Sequence, residues 1–194
     1  MDNHKILLAN LGLEASDIAV CARTIDARIE EARERILDMP FNGVYGVYVG
    51  HSGGKDSVLV RWLVDQTLDN VPTVHTPKPK GVKNEVHPLT KEFLYGLNRH
   101  IHYIPDGCIE TSEFAHFVTQ IDGTRAAEAT RRDGRDVGLI IEGKEVSRAE
   151  CPLYLEKGLF GKQYVYPIYD WSDLEVWAAI LTKNIPFSRE YYVI

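Results

Sequence analysis

The chain reads as an α/β protein, one domain built on a mostly parallel sheet with helices on both faces. Three observations predict this. Short runs rich in β-branched and aromatic residues alternate with helix-like stretches along the chain, an order that calls for a parallel sheet with right-handed crossovers. The first such run, Val44-Tyr45-Gly46-Val47-Tyr48-Val49, passes through a glycine-rich turn straight into a helix. And 194 residues, 44% hydrophobic and 26% charged, suit a single soluble unit with a substantial core.

Taken in order, residues 16–38 carry Ile18, Ala22, Ile25, Ile29, Ala32 and Ile36 at helical spacing. Arg28, Glu31 and Arg35 then face water, with Glu31 placed to pair with Arg35 one turn on. Pro40 and Gly43 end that helix and turn the chain into the first strand. The helix after the glycine-rich turn spans 56–68 and offers Val58, Leu59, Trp62, Leu63 and Val64 for packing. Asn70-Val71-Pro72 resets the chain into a second strand over 73–76. The stretch 77–88, with Lys78, Lys80 and Lys83, is the most irregular and basic piece: a solvated loop, or a clamp for an anionic substrate.

A helix follows over 90–98 and a third strand over 101–104. Residues 114–121 mix helix and strand signals, and their latter half supplies the fourth strand, ending at Asp122-Gly123. The Gly-x4-Gly-Lys match from Gly138 to Lys144 is followed by Glu145 where a phosphate loop of that kind needs Ser or Thr. Flanked by Leu139-Ile140-Ile141 and Val146, it reads as a hairpin turn. Farther on, Ser172 and Glu175 form a capping box at the start of a last helix, with Trp171 stapled onto Val176.

Composition excludes several functions. A net charge of −6 argues against non-specific DNA binding as the main task. Cys21, Cys108 and Cys151 form no Cys-x-x-Cys pair, so neither a disulfide framework nor a zinc site is indicated. Cys108 and Cys151 read as inert, with sulfur relay as the alternative. The histidines, among them His100 and His102, form no metal-ligand constellation. The sequence begins without a signal-peptide pattern and holds no apolar stretch long enough to span a membrane, so a cytoplasmic protein with no membrane partner is expected.

The chemistry concentrates in Ser52-Gly53-Gly54-Lys55-Asp56-Ser57, directly behind the first strand. Strand, glycine-rich turn and helix bring backbone N–H groups and the positive end of a helix onto one anion. Gly53 and Gly54 let the backbone approach a ligand. Ser52 and Ser57 add hydroxyl donors, Lys55 adds a cation, and Asp56 adds a carboxylate for a hard cation such as magnesium. This is a phosphate loop, and not the common one, since Val49 and Asp56 break that pattern. In a parallel α/β sheet the ligand sits at the strands' carboxyl ends, which places His75, Thr76 and Gly123 beside the loop. Arg125, Glu128 and Arg131 follow Gly123 at helical spacing. The arginines suit phosphate or sulfate and Glu128 would orient one of them.

Ser-Gly-Gly-x-Asp-Ser behind a first parallel strand resembles the pyrophosphatase loop of the adenine-nucleotide α-hydrolase-like superfamily. Within it the chain resembles the phosphoadenosine-phosphosulfate reductase family over residues 20–181. Val74-His75-Thr76 lies where that family ends a strand near Asp-Thr, and residues 123–131 carry the Gly-x-Arg-x-x-Glu part of its Gly-x-Arg-x-x-Glu-Ser-x-x-Arg signature. Pro167-Ile168-Tyr169-Asp170-Trp171-Ser172 resembles its Pro-Leu-x-Asp-Trp-Thr/Ser segment. His75 stands for the family's usual acid, Ala129 for its serine, and the sequence given shows no Glu-Cys-Gly-x-His tail. Thiol-dependent reduction by the family's usual route is therefore not expected.

The resemblance implies a Rossmann-like domain with a helical arm over 1–40, a nucleotide-binding core over 41–134, and a C-terminal hairpin and helix over 135–194. It implies an enzyme that binds ATP and magnesium and cleaves at the α-phosphate, adenylating an acceptor the sequence does not identify. Lys55, Asp56 and Arg125 would be catalytic, with Asp56 on the metal. Two alternatives stand beside it: an adenylyl-sulfate-binding protein whose thiol comes from a partner, and a nucleotide-binding subunit without turnover. Homodimerisation stays open, and a nucleic-acid acceptor is not indicated.

Overall fold

The computed structural model describes residues 3–39, 46–77, 86–97, 101–104, 113–117, 119–125, 139–141, 144–146, 155–157 and 163–193. Helices α1 (Asn3–Leu11), α2 (Ala15–Ala22) and α3 (Ile25–Leu37) precede strand β1 (Val47–Gly50). Then come α4 (Lys55–Asp65), β2 (Thr73–His75), α5 (Pro88–Gly96), β3 (Ile101–Tyr103), a 3-10 turn (Glu113–His116) and β4 (Thr119–Ile121). The hairpin strands β5 (Leu139–Ile141) and β6 (Lys144–Val146) are followed by β7 (Leu155–Lys157) and β8 (Gln163–Val165). Helix α6 (Asp173–Thr182) and a 3-10 turn (Arg189–Tyr192) complete the described elements.

The sheet runs β3-β2-β1-β4-β8-β7, parallel throughout except for β7, which lies antiparallel on β8 at the edge. The expected α/β class with a mostly parallel sheet is what forms. From β1 the chain lays β2 and β3 to one side, then returns to put β4 on the other. The gap between β1 and β4 is thus a topological switch point, where an open α/β sheet binds its ligand. The strands β5 and β6 pair with each other, Ile141 opposite Lys144, as the hairpin reading of that segment requires.

Side-chain alternation divides the sheet into two faces. Val49 of β1, Ile121 of β4 and Val165 of β8 join the main core with Ile25, Ile29, Ala32 and Ile36 of α3. The same core takes Val58, Leu59, Val60, Leu63 and Val64 of α4 and residues 176–180 of α6. Tyr48 and Val74 point the other way, to a small aromatic cluster with Ile104, Phe114 and Phe117. Tyr48 meets Phe114 at 5.9 Å and Phe117 at 6.2 Å between ring centroids. The capping box on α6 is present, with Glu175 N–H on the Ser172 hydroxyl at 3.2 Å. Trp171 and Val176 share the main core, as the staple predicts.

Two local expectations are corrected. The helix read over 16–38 is two helices, because the chain breaks at Arg23 and Thr24. At Thr24 (φ −111°, ψ −4°) the backbone N–H bonds the Cys21 carbonyl at 3.1 Å, a tighter turn than the α-helical one, and the hydroxyl donates to the same carbonyl at 3.3 Å. The apolar stripe continues across the break, but α2 buries no residue fully and α3 buries four. Nor do Arg28 and Arg35 simply face water. Arg35 grips Asp170 at 2.7 Å and 3.0 Å, while Arg28 contacts Glu31 at 2.6 Å and Glu175 at 3.0 Å. Arg28 also lies over the Trp171 ring, so both arginines lock α3 to the turn before α6.

Candidate functional site

The loop His51-Ser52-Gly53-Gly54 leaves the carboxyl end of β1 and enters α4 with Gly54 as N-cap. Gly53 has φ +88°, and a Cβ there would lie 2.4 Å from Thr90 Cγ2 on α5. No other residue type fits both the conformation and the space. Three bonds set the loop's shape. The Gly53 N–H donates to His51 Nδ1 at 3.0 Å, the Gly54 N–H to Ser52 Oγ at 3.3 Å, and Ser57 Oγ to the Gly54 carbonyl at 2.9 Å. Ser52 and Ser57 hydroxyls lie 3.1 Å apart, on the same side of the loop.

Gly123, just past β4, packs on the first turn of α4 so tightly that a Cβ would stand 2.7 Å from the Asp56 carbonyl carbon. That approach brings the ends of β1 and β4 together over the loop. The resulting cavity has a volume of about 820 Å³. Its loop side presents Ser52, Gly54, Lys55, Asp56 and Ser57. Its floor is a hydrogen-bonded row on the sheet. The Tyr48 hydroxyl donates to Gln120 Oε1 at 2.6 Å, and Gln120 Nε2 to Asp122 Oδ2 at 2.9 Å. Asp122 Oδ1 in turn takes both the N–H and the hydroxyl of Thr124, each at 2.9 Å. Thr76, His87, Thr90, Glu190 and Tyr191 line the remaining walls. A second, more apolar cavity of about 1160 Å³ borders the same wall of α5 and the C-terminal 3-10 turn, lined by Ile6, Leu89, Phe93, Leu97, Phe187 and Tyr192.

Beneath the loop runs a network of four charges. Lys55 Nζ lies 2.8 Å from Asp56 Oδ2 and 3.1 Å from Asp173 Oδ1. Arg125 holds Asp56 Oδ1 with Nε and Asp173 Oδ1 with Nη2, both at 2.6 Å, and donates from Nη1 to the Trp171 carbonyl at 3.2 Å. Burial works against the Lys55 ammonium, but Asp56 outweighs it, and the lysine pKa stands above its ordinary value. Burial likewise works against the Asp173 carboxylate, and Lys55 and Arg125 hold it below the usual range. The starts of α4 and α6 are thereby clasped together through Arg125.

The sequence-predicted residues separate into three groups. Ser52, Gly54, Lys55, Asp56, Ser57, Thr76 and Gly123 line one cavity with His75. His75, however, shares the face of Val49 and turns its ring to the helix side: Nδ1 lies 2.6 Å from the His51 carbonyl and the ring meets Tyr103 edge-on at 5.7 Å. Burial lowers its pKa. Arg125 is 1% exposed and is not among the residues lining the cavity; it reaches the loop through Asp56. Glu128 and Arg131 lie outside the described residues, as do Lys78, Lys80, Lys83, Cys108 and Cys151. Sequence reasoning missed Asp122, Gln120, His87 and the C-terminal Tyr191. Asp122 carried a usable signal, since it ends a parallel strand at the switch point. Tyr191 carried none, because nothing near it in sequence ties it to the loop.

A nucleotide-bound magnesium ion asks for one or two carboxylates beside phosphate oxygens. Asp56 and Asp122 meet that description, as both line the cavity on either side of the close contact at Gly123. No group of three or more His, Cys, Asp or Glu side chains suited to a protein-only metal cage occurs among the described residues. No helix among them is long and apolar enough to cross a membrane.

No protein-family model matches the chain, and no curated protein does. Solved structures do. The chain is similar to Candida glabrata FMN adenylyltransferase in complex with ATP, at 15% identity and a TM-score of 0.59, over 97% of this chain and 65% of that one. Yeast FAD synthetase in complex with FAD gives 13% identity, a TM-score of 0.57 and coverage of 96% and 67%. Candida auris phosphoadenylyl-sulfate reductase, a phosphate complex, gives 10% identity, a TM-score of 0.54 and coverage of 93% and 92%. The chain spans about 65% of the length of the adenylyltransferase it matches. These likenesses show a shared fold, the mostly parallel α/β one that the sequence predicted.

Proposed function

We propose that this protein binds ATP with magnesium in the switch-point cavity and transfers the adenylyl group to an acceptor, releasing pyrophosphate. One observation carries the reading: the glycine loop and the N-terminus of α4 open onto a cavity at the carboxyl ends of β1 and β4, beside two serine hydroxyls and a lysine. Helix dipole, loop amides and hydroxyls all favour a polyphosphate there. The fold is shared with an adenylyltransferase solved with ATP, which supports the choice of reaction.

In this reaction an oxygen of the acceptor attacks the α-phosphorus. The bond from that phosphorus to the bridging oxygen breaks, and pyrophosphate departs with the bonding electrons. Catalysis of such a step is mostly positioning and charge stabilisation. The loop amides, Ser52 and Ser57 would orient the phosphates, and Lys55 would offset charge on the departing pyrophosphate. Asp56 and Asp122 would hold the magnesium, which supplies further neutralisation of the phosphates when bound. Arg125 acts at one remove, as a positioning residue that fixes Asp56.

A second reading, an adenylyl-sulfate-binding protein, draws on the fold match to a reductase over 92% of that chain's length. One experiment separates the two. The protein is incubated with magnesium and α-labelled ATP, with and without FMN as the first acceptor tried, and in parallel with phosphoadenylyl sulfate and a dithiol. An adenylated acceptor, or AMP, appearing with pyrophosphate supports adenylyl transfer; sulfite release supports the second reading. ADP with inorganic phosphate as the primary products contradicts both.

A further inference from the structure

The backbone N–H of Lys55, the first helical residue of α4, already has a partner. It donates to the Tyr191 hydroxyl oxygen at 3.1 Å, across from the C-terminal 3-10 turn. An N–H at this place in a helix has no partner within the helix, and here it faces the loop where a phosphate is proposed to sit. Tyr191 itself lines the cavity, and its hydroxyl lies 3.8 Å from where a Cβ on Gly54 would be.

The phenol is held there by packing. Its ring meets Trp177 of α6 edge-on at 4.9 Å and Phe187 at 6.2 Å. Next to it, the Glu190 carboxylate bonds the Thr90 hydroxyl, which lies 3.1 Å from Ser188 Oγ, so the turn is pinned to α5 as well. A hydroxyl that accepts one bond still has its proton to donate. Burial raises the Tyr191 pKa, which keeps that proton in place at neutral pH.

Building on the proposed nucleotide site, we infer that Tyr191 is a phosphate-binding residue. Its oxygen stays on the Lys55 N–H, and its proton is donated to an oxygen of the polyphosphate. The C-terminal turn then forms part of the binding wall. The opposite possibility, that Tyr191 blocks the amide and must leave before a phosphate binds, predicts the reverse sign in the same measurement.

The test is calorimetric titration of the parent and Tyr191→Phe with MgATP and, separately, with pyrophosphate. Phenylalanine keeps the ring against Trp177 and Phe187 and removes only the hydroxyl. Loss of a hydrogen bond to a charged oxygen predicts affinity weaker by about tenfold or more for both ligands. Circular dichroism should be unchanged. Unchanged or tighter binding in Tyr191→Phe, with the parent binding normally, overturns the assignment of Tyr191 alone. A parent that binds neither ligand overturns this assignment and the nucleotide site together.

Discussion

Replacing Arg125 with methionine removes a cation whose side chain is 1% exposed and which touches two carboxylates at 2.6 Å. Methionine fills much of the same space, so the change is chiefly one of charge. Breaking a buried ion pair from one side costs about 3–5 kcal/mol, because the remaining charge is left without compensation. Here the loss falls at the low end. Asp56 keeps Lys55 at 2.8 Å, and Asp173, at 44% side-chain exposure, retains access to water. A loss of about 3 kcal/mol in a chain of this size corresponds to a fall of roughly 6–12 °C in melting temperature. Differential scanning calorimetry at pH 7 measures it, with urea titration as a check. The Asp173 pKa is depressed in the folded protein, so its share of the stabilisation is present above the ordinary carboxylate pKa and lost as pH falls below it. The gap between parent and variant should accordingly narrow in acid. A variant as stable as the parent within about 1 kcal/mol, yet unable to bind ATP, would refute the reasoning. Arg125 would then be touching the ligand and not supporting the loop.

Three further outcomes follow from the loop. His51 is 3% exposed and, through burial first and then its neighbours His75 and Arg61, has a pKa lowered to about 4. Its unfolded value is near 6.5, so the stability tied to neutral His51 is complete above that pH. It drains away as pH falls toward 4, by about 3 kcal/mol over the interval. His51→Asn, which can still accept the Gly53 N–H, should flatten that pH dependence in urea titrations between pH 7 and 4.5; an unaltered slope would assign the titration elsewhere. Gly53→Ala should cost about 1–3 kcal/mol, from its left-handed φ and the 2.4 Å approach to Thr90. Gly54→Ala, whose Cβ would meet nothing closer than Ser52 Oγ at 3.4 Å and the Tyr191 hydroxyl at 3.8 Å, should instead keep most of its stability while weakening ATP binding, because the added methyl would stand where the phosphates are proposed to sit. Equal melting temperatures for the two variants would count against the loop geometry.

The sheet and the glycine-rich loop between β1 and α4 were legible in the sequence because each is written locally. Val47-Tyr48-Val49 needs no distant partner to read as a strand, and Ser52 to Ser57 concentrates its chemistry in six consecutive positions. What stayed hidden depends on contacts between remote segments. Arg28 and Arg35 looked like solvent-facing residues because Asp170, which takes them out of full exposure, lies far along the chain. The helix break at Thr24 was masked by an apolar stripe that runs through it unaltered, with both halves packing on α6. Arg125 has the chemistry of an anion ligand, and sequence cannot tell a phosphate from the Asp56 carboxylate that occupies it. Tyr191 reaches the loop only because α6 and Phe187 carry the C-terminal turn back over it.

The claim on which the rest depends is that the loop between β1 and α4 receives the phosphates of an adenine nucleotide. A crystal structure of the protein with magnesium and the analogue AMPCPP tests it most directly. Phosphate oxygens should lie within hydrogen-bond reach, about 2.7–3.2 Å, of the loop amides, the Ser52 or Ser57 hydroxyl, and Tyr191, with adenine toward Thr76. A triphosphate bound elsewhere, or the nucleotide lodged in the apolar cavity beside Phe93 and Phe187 with the loop bare, would contradict the account.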